Sequence, residues 1–230
     1  MEIVTKEISG IASAIKDMRN PMGSQDKSDS VIYEDDHTGN LVVESLGEKD
    51  EVLLNKLCRA KQGSGHDCVL KSIVVHMDIT APHDFILQYY RYSFRDTTSS
   101  MSKMHSIHKG SIHDKCNAYV STQTIDLVDE LLTLYNSVES YSVVEDLFIA
   151  NTKLYRTISD TPTTKSELFE CIIANTPLGY ELTFGEVTNY LQLKTMYNQR
   201  KNHKMSSWSV TFVDWIKSLP MSYLITGEDS

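Results

Sequence analysis

The amino-acid sequence predicts an α+β fold made of one helix-rich domain that spans residues 1–230. Apolar residues recur at helical spacing over most of the chain, whereas apolar–polar alternation is confined to short runs. No composition shift between residues 1–123 and 124–230 requires a domain boundary. A chain of 230 residues with 40% hydrophobic residues is long enough to bury one sizeable core.

The first half of the chain combines helices with short strands. Ile8, Ile11, Ala12, Ile15 and Met18 recur at helical spacing and predict an amphipathic helix that ends near Asn20-Pro21. Residues 20–40 read as a loop with a short strand at 31–33. The remaining elements predicted here are a strand at 41–43, a helix at 51–60, a strand at 72–80, a helix at 83–93 with Pro82 in its first turn, and a hydroxyl-rich loop at 97–102.

The second half of the chain is mostly helical. Apolar periodicity predicts helices at 124–135, 143–158, 164–174, 189–202 and 208–219. Residues 181–187 fit a strand or an extended link. The predicted strands are therefore few and central in the sequence.

The net charge of −9, from 31 acids against 22 Lys and Arg, argues against nucleic acid or an anionic membrane as partner. Four widely spaced cysteines with no CxxC pair support neither a zinc site nor a disulfide framework, and reduced thiols are the simple interpretation. We see no signal peptide and no apolar run of eighteen residues, so we expect a cytoplasmic protein, or one in the host cytoplasm if it is viral.

Two acid-free stretches stand out in this acidic chain. No acid occurs between Asp96 and Asp114, and a second such stretch runs from residue 187 to 213 and carries Arg200. An Arg guanidinium donates two parallel hydrogen bonds to a phosphate, and hydroxyls and loop amides complete such a site. The stretches therefore suggest an anion site, although a structural ion pair at Arg91 and a merely polar loop would also explain the first one.

Standard catalytic signatures are absent from the sequence. It contains no GxSxG, Walker, HExxH or GxGxxG motif. Asp35-Asp36-His37 and the group His105, His108 and His113 do not have the spacing of metal ligands, so no metal site is expected.

Motif residues between Gly65 and His105 nevertheless carry a family resemblance. Gly65-His66 is followed by Gln88 and Arg91, which match the Gln and first Arg of a Gln-x-x-Arg-His-Arg motif, and Ser102-Lys103-Met104-His105 stands where Ser-x-Arg-Tyr would be. Towards the C-terminus, Asn189 and Arg200 follow the spacing of a second pattern, Asn-x-Arg-x-Leu followed by Leu-Arg. On these residues the chain resembles the flavin-dependent thymidylate synthases, as a divergent member with a degenerate Arg-His-Arg motif.

This resemblance implies an α+β fold with a small, mainly antiparallel sheet, and a homotetramer that shares its sites between subunits. It implies methylation, or another modification, at C5 of dUMP, with FAD as cofactor and with methylene-tetrahydrofolate and NADPH as co-substrates. The residues it assigns are Gln88, Arg91, Ser102, Lys103 and Arg200 for the nucleotide, Arg200 also as the catalytic group that polarises the uracil, and His66, Arg91, Asn189 and His203 for the flavin.

Several positions depart from the family pattern. Tyr92 and Ser93 replace the His and second Arg, while Met104 and Leu191 replace further Arg residues. Lys71-Ser72 replaces a Glu-His pair. Two alternatives therefore stand beside the enzyme: a non-catalytic member of the fold that binds a nucleotide or another anion, and a structural oligomeric protein.

Overall fold

The computed structural model of the chain describes residues 1–61, 63–138, 144–152 and 158–228. The chain divides into two compact units. The helical unit comprises Met1, Thr80–Tyr89 and Ser100–Thr183, and the sheet unit comprises Glu2–Ile79, Tyr90–Ser99 and Phe184–Ser230. The prediction of a single domain over residues 1–230 stays a prediction.

The fold is α+β and helix-rich, with small antiparallel sheets, as the sequence predicts. The described strands are β1 Glu2–Ser9, β2 Val31–Glu34, β3 Leu41–Ser45, β4 Val74–Pro82, β5 Arg95–Ser100 and β6 Glu181–Asn189. One sheet has the order β1-β4-β6-β5, and β2 pairs with β3 in an antiparallel hairpin. In β4 the side chains of Val75, Met77 and Ile79 alternate into the core, which is the period-2 pattern of a strand with one buried face.

The described α-helices are α1 Ile11–Asp17, α2 Glu48–Cys58, α3 His83–Tyr89, α4 Lys103–Ser106, α5 Thr122–Ser137, α6 Val144–Asn151, α7 Lys165–Asn175, α8 Tyr190–Arg200, α9 Val213–Ser218 and α10 Tyr223–Thr226. Residues His66–Ser72 form a 3-10 helix, and Ser207–Phe212 form a π-helix. Among the described residues, no helix has the length and apolar character to cross a membrane.

Side-chain caps fix where α5, α7 and α8 begin. Ser121 accepts a hydrogen bond from the backbone of Thr124 at the start of α5. Thr164 and Glu167 form a capping box at the start of α7, and Asn189 caps α8. Each cap satisfies backbone N–H groups that have no partner within the helix. In the helical unit, α5 and α7 then bury an apolar face that includes Val128 and Leu168.

The beginning of the chain corrects the prediction of a first helix from Ile8. Residues Glu2–Ser9 are the strand β1, Ile8 included, and the helix begins only at Ile11. Gly10, between them, has a φ of +83°, which is the left-handed conformation that favours glycine. Ile8 thus has the spacing expected of a residue in the first helix, but Gly10 separates it from that helix.

The region after β4 differs from the sequence prediction in three ways. Pro82 is the last residue of β4, α3 ends at Tyr89 instead of Ser93, and residues Arg95–Ser100 form β5 instead of a loop. Arg91 and Tyr92 therefore lie beyond the helix. The hydroxyl-rich segment is extended because it pairs with β6 at the edge of the sheet.

The remaining element predictions are confirmed with shifted bounds. The helices predicted at 51–60, 124–135, 164–174 and 189–202 correspond to α2, α5, α7 and α8, and the strands at 31–33, 41–43, 72–80 and 181–187 correspond to β2, β3, β4 and β6. The helix predicted at 208–219 is a π-helix followed by α9. Of the helix predicted at 143–158, α6 covers Val144–Asn151, and residues 143 and 153–157 lie outside the described residues.

Candidate functional site

A cavity of about 460 Å³ opens in the sheet unit beside the N-terminus of α8. One wall is the 3-10 helix with the segment that leads into it, where Gly63, Gly65 and Lys71 line the space. The opposite wall is the first two turns of α8 with the residue that precedes them. Both walls belong to the sheet unit.

The wall at the 3-10 helix is fixed by a buried ion pair. The carboxylate of Asp67, which is 2% exposed, accepts a hydrogen bond from Nζ of Lys194 at 2.8 Å. The same ammonium group donates to the backbone carbonyl of Cys58 at 2.6 Å. Lys194 lies on α8 and Cys58 at the end of α2, so one side chain joins α8 to two neighbouring segments. Gly65, with a φ of +83°, turns the chain into this wall just before His66.

The α8 wall presents amide groups and a helix N-terminus. Oδ1 of Asn189 accepts a hydrogen bond from the backbone N–H of Gln192 at 2.9 Å, and the side chains of both residues line the cavity. The N-terminus of an eleven-residue helix carries partial positive charge, which favours an anion or a carbonyl oxygen. Leu191 and Thr195 complete this wall.

Phe94 lies at the rim of the cavity with 71% of its surface exposed. Its backbone carbonyl accepts a hydrogen bond from Oγ1 of Thr188 at 3.1 Å, which holds the residue against β6. An exposed aromatic ring beside an open cavity offers a face on which a flat heterocycle can stack.

Arg200, the residue predicted to be catalytic, lies in the last turn of α8. Its Nε donates to Oη of Tyr92 at 2.8 Å, and its guanidinium lies 4.5 Å above the ring of Trp208. Asn189 and Arg200 bracket the eleven residues of α8, so the two ends of the helix are about 16 Å apart along its axis. Asn189, predicted to bind the flavin, thus lies at the opposite end of α8 from Arg200. His66, also predicted to bind the flavin, is the exposed first residue of the 3-10 helix.

His203 lies three residues after Arg200, and both residues contact the ring of Trp208. Nδ1 of His203 accepts a hydrogen bond from the backbone N–H of Met205 at 3.2 Å, so the ring proton of the neutral form is on Nε2. Burial and then the charge of Arg200 lower the pKa of His203 below its ordinary value. The imidazole is therefore neutral at pH 7 and offers a hydrogen-bond donor, not a positive charge.

Contacts of Tyr92 and Trp208 with Arg200 were not predictable from the sequence. Trp208 is buried in the π-helix Ser207–Phe212, and helical segments of this kind are frequent at functional sites. The sequence shows only that Tyr92 follows Arg91 and that Trp208 lies eight residues after Arg200. That Tyr92 and Trp208 contact each other could be seen only in the fold.

The other predicted nucleotide-binding residues are divided between the two units. Arg91 is an exposed residue of the sheet unit, whereas Gln88, Ser102 and Lys103 belong to the helical unit. Ser102 accepts a hydrogen bond from the backbone of His105 at 3.4 Å and so caps α4. Nζ of Lys103 donates to the carbonyl of Ile173 at 3.5 Å, and burial lowers the pKa of Lys103.

Arg95, a further cation near the first acid-free stretch, is paired within the sheet. Its Nη1 donates to Oε1 of Glu186 at 2.9 Å, and its guanidinium lies 4.2 Å from the ring centre of Tyr90. Thr97 donates to the same carboxylate oxygen. Burial raises the pKa of Glu186, and the hydrogen bond from Thr97 and the charge of Arg95 offset only part of that rise. Glu186 was not predicted from the sequence, because its partners Arg95 and Thr97 lie on β5, a strand that the sequence did not indicate.

Metal ligands do not cluster in the part of the chain that the structure describes: no three His, Cys, Asp or Glu side chains are placed to hold an ion together.

Comparison with known proteins finds similar structures but no match by sequence. No family model and no curated protein matches the chain. Two crystal structures of the flavin-dependent thymidylate synthase ThyX from Helicobacter pylori, each complexed with FAD and dUMP, match with a TM-score of 0.64 at 14% sequence identity. The match covers 100% of this chain and 99% or 98% of theirs. The chain therefore has, over its whole length, a fold similar to that of the flavin-dependent thymidylate synthases.

Proposed function

We propose that the protein is a divergent flavin-dependent thymidylate synthase-like enzyme that methylates or otherwise modifies C5 of dUMP or a similar nucleotide. The observation that carries the proposal is the whole-chain likeness to structures complexed with FAD and dUMP. A cavity beside α8, flanked by Asn189 and Gly65, supports it at residue level. The one-carbon donor would be methylene-tetrahydrofolate, and NADPH would be the reductant.

The residues around the cavity fit a flavin ring better than they fit a diphosphate. A volume of about 460 Å³ suits a flat tricyclic ring, and Phe94 offers a face for stacking. Asn189 and Gln192 would orient the polar edge of the ring, with His66 close by. Lys71 and the N-terminus of α8 are the groups that would face the phosphates. When bound, the flavin would supply hydride transfer.

The nucleotide would be held by Gln88, Arg91, Ser102, Lys103 and Arg200. The guanidinium of Arg200 would donate to a uracil oxygen and so stabilise the negative charge that develops on the ring during substitution at C5. We further propose a homo-oligomer, with a tetramer favoured, in the cytoplasm.

The first test is the colour and the ligand affinity of the purified protein. We expect a visible flavin spectrum, either as isolated or after addition of FAD. Asn189→Ser keeps the oxygen that caps α8 but removes the amide donor, and it should weaken FAD binding roughly tenfold, as expected for loss of one hydrogen bond. Asn40→Ala, in the exposed turn of the hairpin, is the matched control. A protein that takes up no flavin contradicts the enzyme proposal.

A second candidate is a non-catalytic protein that binds a nucleotide. This candidate is favoured because the family pattern has His or Arg at four positions where this chain has no cationic side chain: Tyr92, Ser93, Met104 and Leu191. It predicts that dUMP raises the thermal unfolding temperature without flavin, and that dUMP, FAD, methylene-tetrahydrofolate and NADPH together yield no product. A structural oligomer would instead lose its assembly in Arg91→Ala, and dUMP would leave its unfolding temperature unchanged.

A further inference from the structure

The phenol of Tyr92 lies at the centre of a short hydrogen-bond chain at the end of α8. Its Oη donates to Oε1 of Gln199 at 3.1 Å and accepts from Nε of Arg200 at 2.8 Å. A phenol has one proton, so the bond to Gln199 directs an oxygen lone pair towards Arg200. The direction of both bonds is therefore fixed by the neighbours on α8.

Two aromatic rings lie close to the same guanidinium. The carbon at the centre of the Arg200 guanidinium lies 4.5 Å from the ring centre of Trp208 and 5.6 Å from that of Tyr92. The rings of Tyr92 and Trp208 are themselves in contact, with centres 6.3 Å apart. A planar guanidinium that stacks on one ring and is bonded at Nε has both its plane and its rotation within that plane defined.

We propose that Tyr92 is the positioning residue of Arg200: its phenol oxygen, together with the Trp208 ring, sets the direction in which the two Nη groups of Arg200 donate to the nucleotide. The motif that the chain resembles has His at this position. Tyr92 therefore gives this chain its own means of orienting the guanidinium. The role in nucleotide binding rests on the proposed function, whereas the restraint on Arg200 does not.

The restraint is tested first without any ligand. In protein labelled with ¹⁵N-arginine, the Nε–H of Arg200, assigned by its loss in Arg200→Lys, should exchange slowly with water. Tyr92→Phe keeps the ring and removes the hydroxyl, and it should speed this exchange at least tenfold. Tyr119→Phe, at an 87% exposed tyrosine, is the matched control and should leave the exchange unchanged. Unchanged exchange in Tyr92→Phe overturns the proposal whether or not dUMP binds.

The consequence for the ligand is tested with dUMP. Tyr92→Phe should lower dUMP affinity about tenfold, with the thermal unfolding temperature close to that of the wild type. Faster exchange with unchanged dUMP affinity overturns the positioning role in nucleotide binding. If the wild type itself binds no dUMP, the proposed function fails, and the exchange experiment still decides the restraint.

Tyr92→His gives a pH signature that a merely structural role would not produce. A neutral imidazole can accept from Arg200, but an imidazolium repels it, so the ratio of the dUMP affinities of variant and wild type should fall as pH falls through about 6.5. Taking the ratio at each pH removes the titration of the dUMP phosphate itself. A ratio that does not depend on pH contradicts the proposal.

Discussion

At the scale of single residues, the buried carboxylate of Asp50 predicts how stability depends on pH. Burial alone would raise the pKa of Asp50, but hydrogen bonds from Ser28, Ser30 and Arg19 outweigh it and lower the pKa below its ordinary value. A group whose pKa is lowered by folding stabilises the protein above its unfolded-state pKa of about 3.9, and that stability is lost as pH falls through the folded-state pKa.

We therefore expect the free energy of unfolding of the wild type to fall between pH 5.5 and pH 3. Asp50→Asn cannot ionise, so its free energy of unfolding should be lower at pH 5.5 and should approach that of the wild type towards pH 3. Urea unfolding at a series of pH values measures both curves. Parallel curves for the two proteins over this range would contradict the assigned role of Asp50.

Lys194 carries a second prediction at the same scale. Lys194→Met removes the partner of Asp67 and leaves a carboxylate buried without a cation, at a cost of about 3–5 kcal/mol in the free energy of unfolding. The double variant Lys194→Met with Asp67→Asn removes that charge and should recover part of the loss. A double-mutant cycle from urea unfolding gives the coupling energy between the two positions, and a coupling near zero would contradict the ion pair.

At the scale of elements, the junction between β1 and α1 depends on Gly10. An added Cβ at Gly10 would lie 1.8 Å from the backbone oxygen of Ser72, in addition to the strain of a residue at φ +83°. Backbone atoms cannot move aside as a flexible side chain can. Gly10→Ala should therefore prevent the native packing of β1 and α1 and greatly lower the thermal unfolding temperature.

Gly110 is the matched control for this prediction. It has a similar φ of +81°, but an added Cβ would meet no atom within 4 Å. Gly110→Ala should therefore cost only the strain of the left-handed conformation, about 1–2 kcal/mol. Equal losses in the two variants would show that backbone conformation, and not the contact with Ser72, determines the effect at Gly10.

Elements were predictable from the sequence where local signals and burial agree. The helix α7 has a cap at Thr164 and an apolar face, and both can be read from neighbouring residues. Strand β5 could not be found in this way, because Arg95–Ser100 is polar and is extended only through its pairing with β6. Motif spacing predicts a role for Arg200, whereas its contact with Tyr92 joins residues 108 positions apart and depends on tertiary structure.

At the scale of the whole molecule, the path of the chain favours unfolding as one cooperative system. The chain passes between the two units after residues 1, 79, 89, 99 and 183, and the crossings after residues 79 and 183 lie within β4 and β6. Loss of either strand would thus affect residues of both units. We expect one two-state transition in urea, in accordance with the predicted single domain.

The positions of the two tryptophans make this expectation easy to test. Trp208 and Trp215 both belong to the sheet unit, so tryptophan fluorescence reports on that unit alone. Far-UV circular dichroism also reports on α5, α6 and α7, which belong to the helical unit. If the chain unfolds as one system, the two probes give the same urea midpoint and the same slope, since two-state unfolding is independent of the probe. A fluorescence transition that is displaced from the dichroism transition would mean that the units unfold separately, and it would replace the single domain by two.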